Sequence, residues 1–267
     1  MRLLVAGGDR VDAGKTTFST GLCAYAGATG FKPRAGNDYW FDHDDYERAV
    51  SAGRLYGKDA KRLAAASPEA VEPEDINPLH RLWRPSPGAD AGIIGASHRR
   101  FVCDRVGDAF VVNANADLPE SAREHLPLEQ ATTVETLAEL NAVMADRHTT
   151  VLESVREAIL ARDRAVVESY SDIAVPIQQV EFDAVAVVDP GRARVYNADR
   201  YARAREVVGG STHEGQLEER VSDVISHCDP LAEVGLPALG GEKRRDPDVV
   251  AEAYEVAYEA VVTAALS

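Results

Sequence analysis

Residues 8 to 16 read Gly-Asp-Arg-Val-Asp-Ala-Gly-Lys-Thr and follow directly on the apolar run Leu3-Leu4-Val5-Ala6. A short buried strand, a glycine-bearing loop and a helix start in that order leave few folds open. The loop's backbone N–H groups turn inward toward an anion, and the next helix aims its positive dipole end at the same point. Gly8, Asp9, Asp12, Ala13, Gly14, Lys15, Thr16 and Thr17 are the candidate cradle residues. In such a cradle the lysine reaches the terminal phosphates and the first hydroxyl ligates Mg²⁺. A nucleoside triphosphate is therefore the first ligand to consider.

The spacing departs from the common phosphate loop, which has four residues between its first glycine and Gly-Lys. Here Asp9 to Ala13 make five. Leu22, Ala24, Tyr25, Ala26 and Ala28 continue a helix from Thr16 to about Thr29, and Gly30 ends it.

The chain has 267 residues, enough to bury a large core, and no linker is clean enough to divide it. One domain over 1–267 is expected. The net charge of −15, from 44 acidic and 29 basic residues, argues against a non-specific nucleic-acid binder. Only five of the basic residues are lysines, at positions 15, 32, 58, 61 and 243. An acidic, lysine-poor surface suits a halophilic source, where salt screens the repulsion; a GC-rich genome gives the same bias. Cys23, Cys103 and Cys228 show neither metal-ligand spacing nor even pairing and read as thiols of a reducing compartment. Met1 leads straight into the first strand, and no apolar run approaches membrane-spanning length. A cytoplasmic location without a membrane partner is expected.

Along the chain, 31–47 read as a loop and 48–66 as a helix. Residues 67–90 read as a proline-dense connection, and 101–112 as a hairpin about Gly107-Asp108. Residues 133–161 carry apolar positions at helical spacing. Arg164 to Tyr170 and Phe182 to Gly191 read as buried strands, the first meeting Glu168 near its end. Helices are expected at about 198–208, 216–225 and 248–264. Alternating strands and helices with buried-type strands imply an α/β fold with a mostly parallel central sheet. Ligands then gather beyond the carboxyl ends of the strands.

Two further residues belong to the candidate site. Glu168 ends a buried strand, where a carboxylate beside a phosphate loop holds Mg²⁺ directly or through water; a solvated strand-end acid is the alternative. Lys32 precedes Pro33, which fixes the backbone and directs the lysine from the sheet edge toward the phosphates, unless it is a surface lysine. Tyr39, Trp40 and Phe41, amid Asp38, Asp42, Asp44 and Asp45, form either a pocket for an amine-bearing substrate or a loop packed on the core.

The order of these features resembles dethiobiotin synthetase and related P-loop carboligases and amidoligases of the SIMIBI type. The five-residue gap before Gly14-Lys15-Thr16, Gly30-Phe31-Lys32-Pro33, Asp59, Asn77-Pro78, the stretch from Glu168 to Val175-Pro176, Pro190-Gly191 and Leu236-Pro237 follow the family's order from residue 1 to about 262. The resemblance implies a P-loop NTPase fold with a small hairpin insertion. It implies Mg²⁺ surrounded by Thr16, Asp59 and Glu168, with Lys15 and Lys32 as the catalytic lysines. It also implies ATP, GTP not being excluded, and a small-molecule acceptor activated as a mixed phosphate anhydride. The family's dimer interface, which completes the acceptor pocket, makes a homodimer one expectation. The family's glycines after Glu168 are absent here, 37–46 lengthen the gap between Lys32 and Asp59, and the 101–112 hairpin has no counterpart. The nucleotide half thus falls within the resemblance, and the acceptor half departs from dethiobiotin synthetase itself. A nucleotide switch or metallochaperone-type GTPase acting on a protein stays open, as does a non-catalytic nucleotide sensor.

Overall fold

The computed structural model describes residues 1–8, 13–86, 93–94, 98–209 and 218–267. The chain divides into two compact units. The first comprises Met1–Pro33, Arg62–Glu72 and Arg156–Ser267; the second comprises Arg34–Lys61 and Pro73–Val155. Two of the boundaries fall inside helices, Lys58–Ala66 and Thr149–Leu160.

The strands run in chain order as β1 (Arg2–Gly7) and β2 (Thr29–Phe31), both in the first unit. Then come β3 (Arg34–Asp38), β4 (Leu79–Pro85), β5 (Arg99–Val106), β6 (Ala109–Asn113) and β7 (Thr132–Val134) in the second. The first unit resumes with β8 (Ala165–Glu168), β9 (Ala184–Asp189), β10 (Arg192–Asn197) and β11 (Ala232–Gly235). Both sheets are mixed and flanked by helices, an α/β architecture.

In the first unit the described strands lie in the order β11-β10-β9-β1-β8-β2. β2, β8, β1 and β9 are parallel neighbours, whereas β10 and β11 are added antiparallel. Leu3 to Ala6 and Ala165 to Val167 are wholly buried, as strands covered on both faces require. Leu4 and Ala6 share a cluster with Val185, Val187, Tyr196 and Tyr201. The helix Lys15–Ala26 packs against the C-terminal helices Pro247–Ala253 and Glu255–Ala265, where the Tyr258 hydroxyl donates to the Phe18 carbonyl at 2.9 Å. The single helix expected at 248–264 is thus two, broken at Tyr254, and the first is capped by Asp246.

The second unit orders its strands β3-β4-β5-β6-β7. The expected hairpin is present as β5–β6, turning at Gly107 with φ 59°. It is the middle of a five-stranded sheet, not a small insertion. β4 fills part of the expected proline-dense connection, and β3 part of the expected loop. The expected helix over 48–66 is interrupted: Gly53 has φ 73°, and Gly57 is pressed against Asn37 and His80. Residues 133–161 open with β7, and Thr136 then starts a helix through a capping box with Glu139. A π-helical turn at Met144–His148 precedes Thr149–Leu160. Of the expected helix 216–225, residues 216 and 217 lie outside the described residues, and Val221–Ile225 is helical.

Candidate functional site

The parallel register places the carboxyl ends of β1, β8 and β2 together. Val5 is level with Glu168, and Phe31 with Val167. The next residues of each strand lead to Gly8, Ser169 and Lys32. β1 delivers the loop, and the helix begins at Lys15 behind Gly14. Gly14 has φ 87°, a left-handed conformation that glycine adopts without a Cβ penalty. Its carbonyl accepts the Phe18 N–H at 3.0 Å and so starts the helical ladder. Ala13 and Lys15 are buried, and Thr16 and Thr17 are half-buried. Asp9 and Asp12, the other two cradle candidates, lie outside the described residues.

Gly8 is fixed from the far side. Its N–H donates to the Val188 carbonyl at 3.0 Å, and a Cβ there would run into the Asp189 carboxylate. Asp189, the last residue of β9, is held by Arg194 at 2.7 Å and Arg192 at 3.3 Å. A side chain at this position would have to displace the Asp189–Arg194 ion pair beside it. Sequence inspection read Asp189 merely as part of a strand end. The arginines that hold it sit on β10, a strand it did not expect.

Glu168 is the centre of the cluster, with 0% of its surface exposed. Its Oε1 accepts from the Thr16 hydroxyl at 2.9 Å and forms an ion pair with the Lys32 ammonium, itself buried. Its Oε2 is buried and has no hydrogen-bond partner among the described residues. Burial, and then the Glu168 charge, hold the nearby Cys23 thiol well above its usual pKa, so Cys23 is neutral packing and not a nucleophile. Thr16 and Lys32, from distant parts of the chain, therefore both contact Glu168. Asp59 opens the helix Lys58–Ala66 in the second unit, where its charge acts on Lys58 along with Asp42 and Asp45.

After Glu168 the chain turns sharply. Ser171 has φ 49°, a left-handed conformation uncommon for a residue with a side chain. Ser169 donates to the Ile173 carbonyl at 2.5 Å, and the Tyr170 hydroxyl donates to Glu218. A contact that sequence reading missed lies on the helix side of the loop. Arg62 donates to the Thr17 hydroxyl at 3.4 Å and to the Arg244 carbonyl at 2.5 Å. This ties the segment 238–245 to the loop's helix, and 238–243 line a depression of about 380 Å³. A second depression of the same volume, lined by Thr29, Pro68 and Arg164 among others, opens at the amino ends of β2 and β8, away from Glu168.

The donor set decides what cation fits. A hydroxyl and a carboxylate with an unused buried oxygen are hard ligands, suited to Mg²⁺, which keeps several waters and takes few protein groups. Among the described residues no group of three or more His, Cys, Asp or Glu forms a protein-only metal centre. His43 and its neighbouring aspartates make none. Of the aromatic trio, Tyr39 packs on the second unit's core against Tyr46, whereas Trp40 and Phe41 are 68% and 77% exposed. All three cysteines are free, and no helix among the described residues is long and apolar enough to cross a membrane.

No protein-family model matches this chain, and no curated protein matches it in sequence.

Proposed function

We propose that this protein is a Mg²⁺-dependent P-loop NTPase, similar to the dethiobiotin synthetase group, that activates a small carboxylate or carbamate by phosphoryl transfer. The observation that carries the reading is the Thr16–Glu168–Lys32 contact at the carboxyl ends of parallel strands, directly behind a left-handed Gly14. A merely structural ion pair does not require a helix start, a glycine wedged against Asp189 and an orphaned carboxylate oxygen at one point. Thr16 and Glu168 would hold the metal, which spreads the charge of the β- and γ-phosphates. Lys15, the first residue of the helix, binds the terminal phosphates. Lys32 stabilises charge on the transferring group or on the acceptor oxygen; no covalent nucleophile is needed. Asp59 joins the metal set only as the family resemblance has it.

The test is calorimetry in concentrated KCl with MgCl₂ and either ATP or GTP, on the wild type and on Lys15→Ala. Binding by the wild type and its loss in the variant support the reading. No heat with either nucleotide, or unchanged binding in Lys15→Ala, overturns it. Turnover that requires an added small carboxylate or amine supports acceptor activation. Turnover that responds only to a protein partner would make the chain a nucleotide switch instead.

A further inference from the structure

The Lys32 ammonium sits on the same Glu168 oxygen that receives the Thr16 hydroxyl. Taken with the reading of this site as a metal–nucleotide site, on which it rests, that placement has a thermodynamic consequence. A buried carboxylate needs a counter-charge, and here a lysine of the chain supplies it before any metal arrives. A divalent ion brought to Glu168 and Thr16 then meets a positive charge already on that carboxylate. At a few ångströms and a protein-like dielectric the repulsion lowers the affinity for a bare ion by about a hundredfold or more. A metal–polyphosphate complex escapes this, because its own negative charge offsets Lys32.

We infer that Lys32 is the site's resident counter-cation, which bars a bare divalent ion and lets metal enter only together with polyphosphate. Glu168 Oε2, buried and without a partner among the described residues, is the oxygen left for the incoming ion while Lys32 stays on Oε1. Metal and nucleotide binding are thereby coupled: each raises the affinity for the other by the same factor. The protein stands metal-free in millimolar Mg²⁺ until a nucleotide is present.

The experiment uses the full chain without nucleotide. Thermal denaturation is followed as MgCl₂ replaces KCl at constant ionic strength. Ligand that binds only the folded state raises the melting temperature. The wild type and Lys32→Arg, which keeps the charge, should show no response to Mg²⁺. Lys32→Met should be stabilised by Mg²⁺ alone, with an apparent affinity at least about a hundredfold above the wild type. Lys32→Met combined with Glu168→Gln should lose that response. If Lys32→Met is unfolded by its bare carboxylate, recovery of its circular dichroism by Mg²⁺ alone supports the inference, and failure to recover counts against it. A folded Lys32→Met with no greater Mg²⁺ response than the wild type overturns it, even when the wild type binds Mg²⁺–nucleotide. If the wild type binds no nucleotide while Lys32→Met gains the Mg²⁺ response, the NTPase reading falls and cation exclusion stands.

Discussion

Replacing Gly21 by alanine sets two magnitudes against each other. Gly21 lies in the helix Lys15–Ala26, where alanine is better by about 1 kcal/mol on helix propensity alone. A Cβ at this position would come within 2.6 Å of Val250 Cγ1 and 3.1 Å of Val250 Cβ, and would press on the Tyr258 hydroxyl. Val250 is wholly buried and rigid at χ1, so it has nowhere to turn. Overpacking of this kind costs about 1–3 kcal/mol. Displacing Tyr258 also weakens its hydrogen bond to the Phe18 carbonyl, a loss of about 1 kcal/mol. The steric terms outweigh the propensity gain, and Gly21→Ala is expected to destabilise by about 2 kcal/mol, or about 4–8 °C in melting temperature. Val250→Ala in the same chain removes the obstructing methyls, so the double variant should lose less than the two single losses together. A Gly21→Ala protein as stable as the wild type, or strict additivity with Val250→Ala, would show that these helices do not approach as closely as described.

Among the described residues Gly14→Ala meets no obstruction nearer than Val188 at 3.9 Å, so its cost there is conformational: about 1–2 kcal/mol for an L-residue held at φ 87°. Gly14→Asn should cost less in the same melts, and equal losses would refute the backbone argument. His148 is 8% exposed in the second unit, with Nε2 3.7 Å from Asp104. Burial pushes its pKa down to about 4; Asp104 opposes the shift, and Arg81 and Arg34 add to it. A pKa lower in the folded than in the unfolded state means that the unfolded chain takes up the proton first as pH falls. Stability is therefore lost between about pH 6.5 and 4, by up to about 3 kcal/mol. Melting curves across that range should fall less steeply for His148→Gln, and parallel curves would remove His148 from the account.

The first strand, the glycine turn and the helix start were legible because their signals are local. Gly14 at a helix start, the buried strand before it and the carboxylate closing Ala165–Glu168 are each written in a few adjacent residues. Their convergence was legible only through the expectation that parallel strands share one functional end. The ion-pair wall behind Gly8 was not, because Asp189 and Arg194 meet across a hairpin whose second strand, Arg192–Asn197, alternates arginine with small and aromatic residues and follows a Pro-Gly stop. β4 was hidden for a related reason. Its His80, Arg81 and Arg84 look solvated, yet Arg81 is paired with Asp104 and lies over the Phe101 ring. The helix expected at 48–66 had the right composition, but two glycines whose surroundings lie elsewhere in the chain broke it. The Trp40-Phe41 pair shows the opposite limit: three adjacent aromatics suggested burial, and two of them face solvent.

The slot that β8 fills has a consequence for how a ribosome delivers this chain. β1 and β2 are not hydrogen-bonded to each other; β8 lies between them. Lys32 meets Glu168 across 136 residues, and Thr16 meets it across 152. At ordinary translation speeds of about 5–20 residues per second, the opening hydrophobic strand waits roughly 10–30 s before its neighbour emerges. Until then the nascent chain carries Leu3-Leu4-Val5-Ala6 with no native strand to pair with, while the residues of the second unit are already made. The Thr16–Glu168–Lys32 cluster thus cannot close until residue 168 has been made, and the exposed strand Arg2–Gly7 is the segment a nascent-chain chaperone would need to shield.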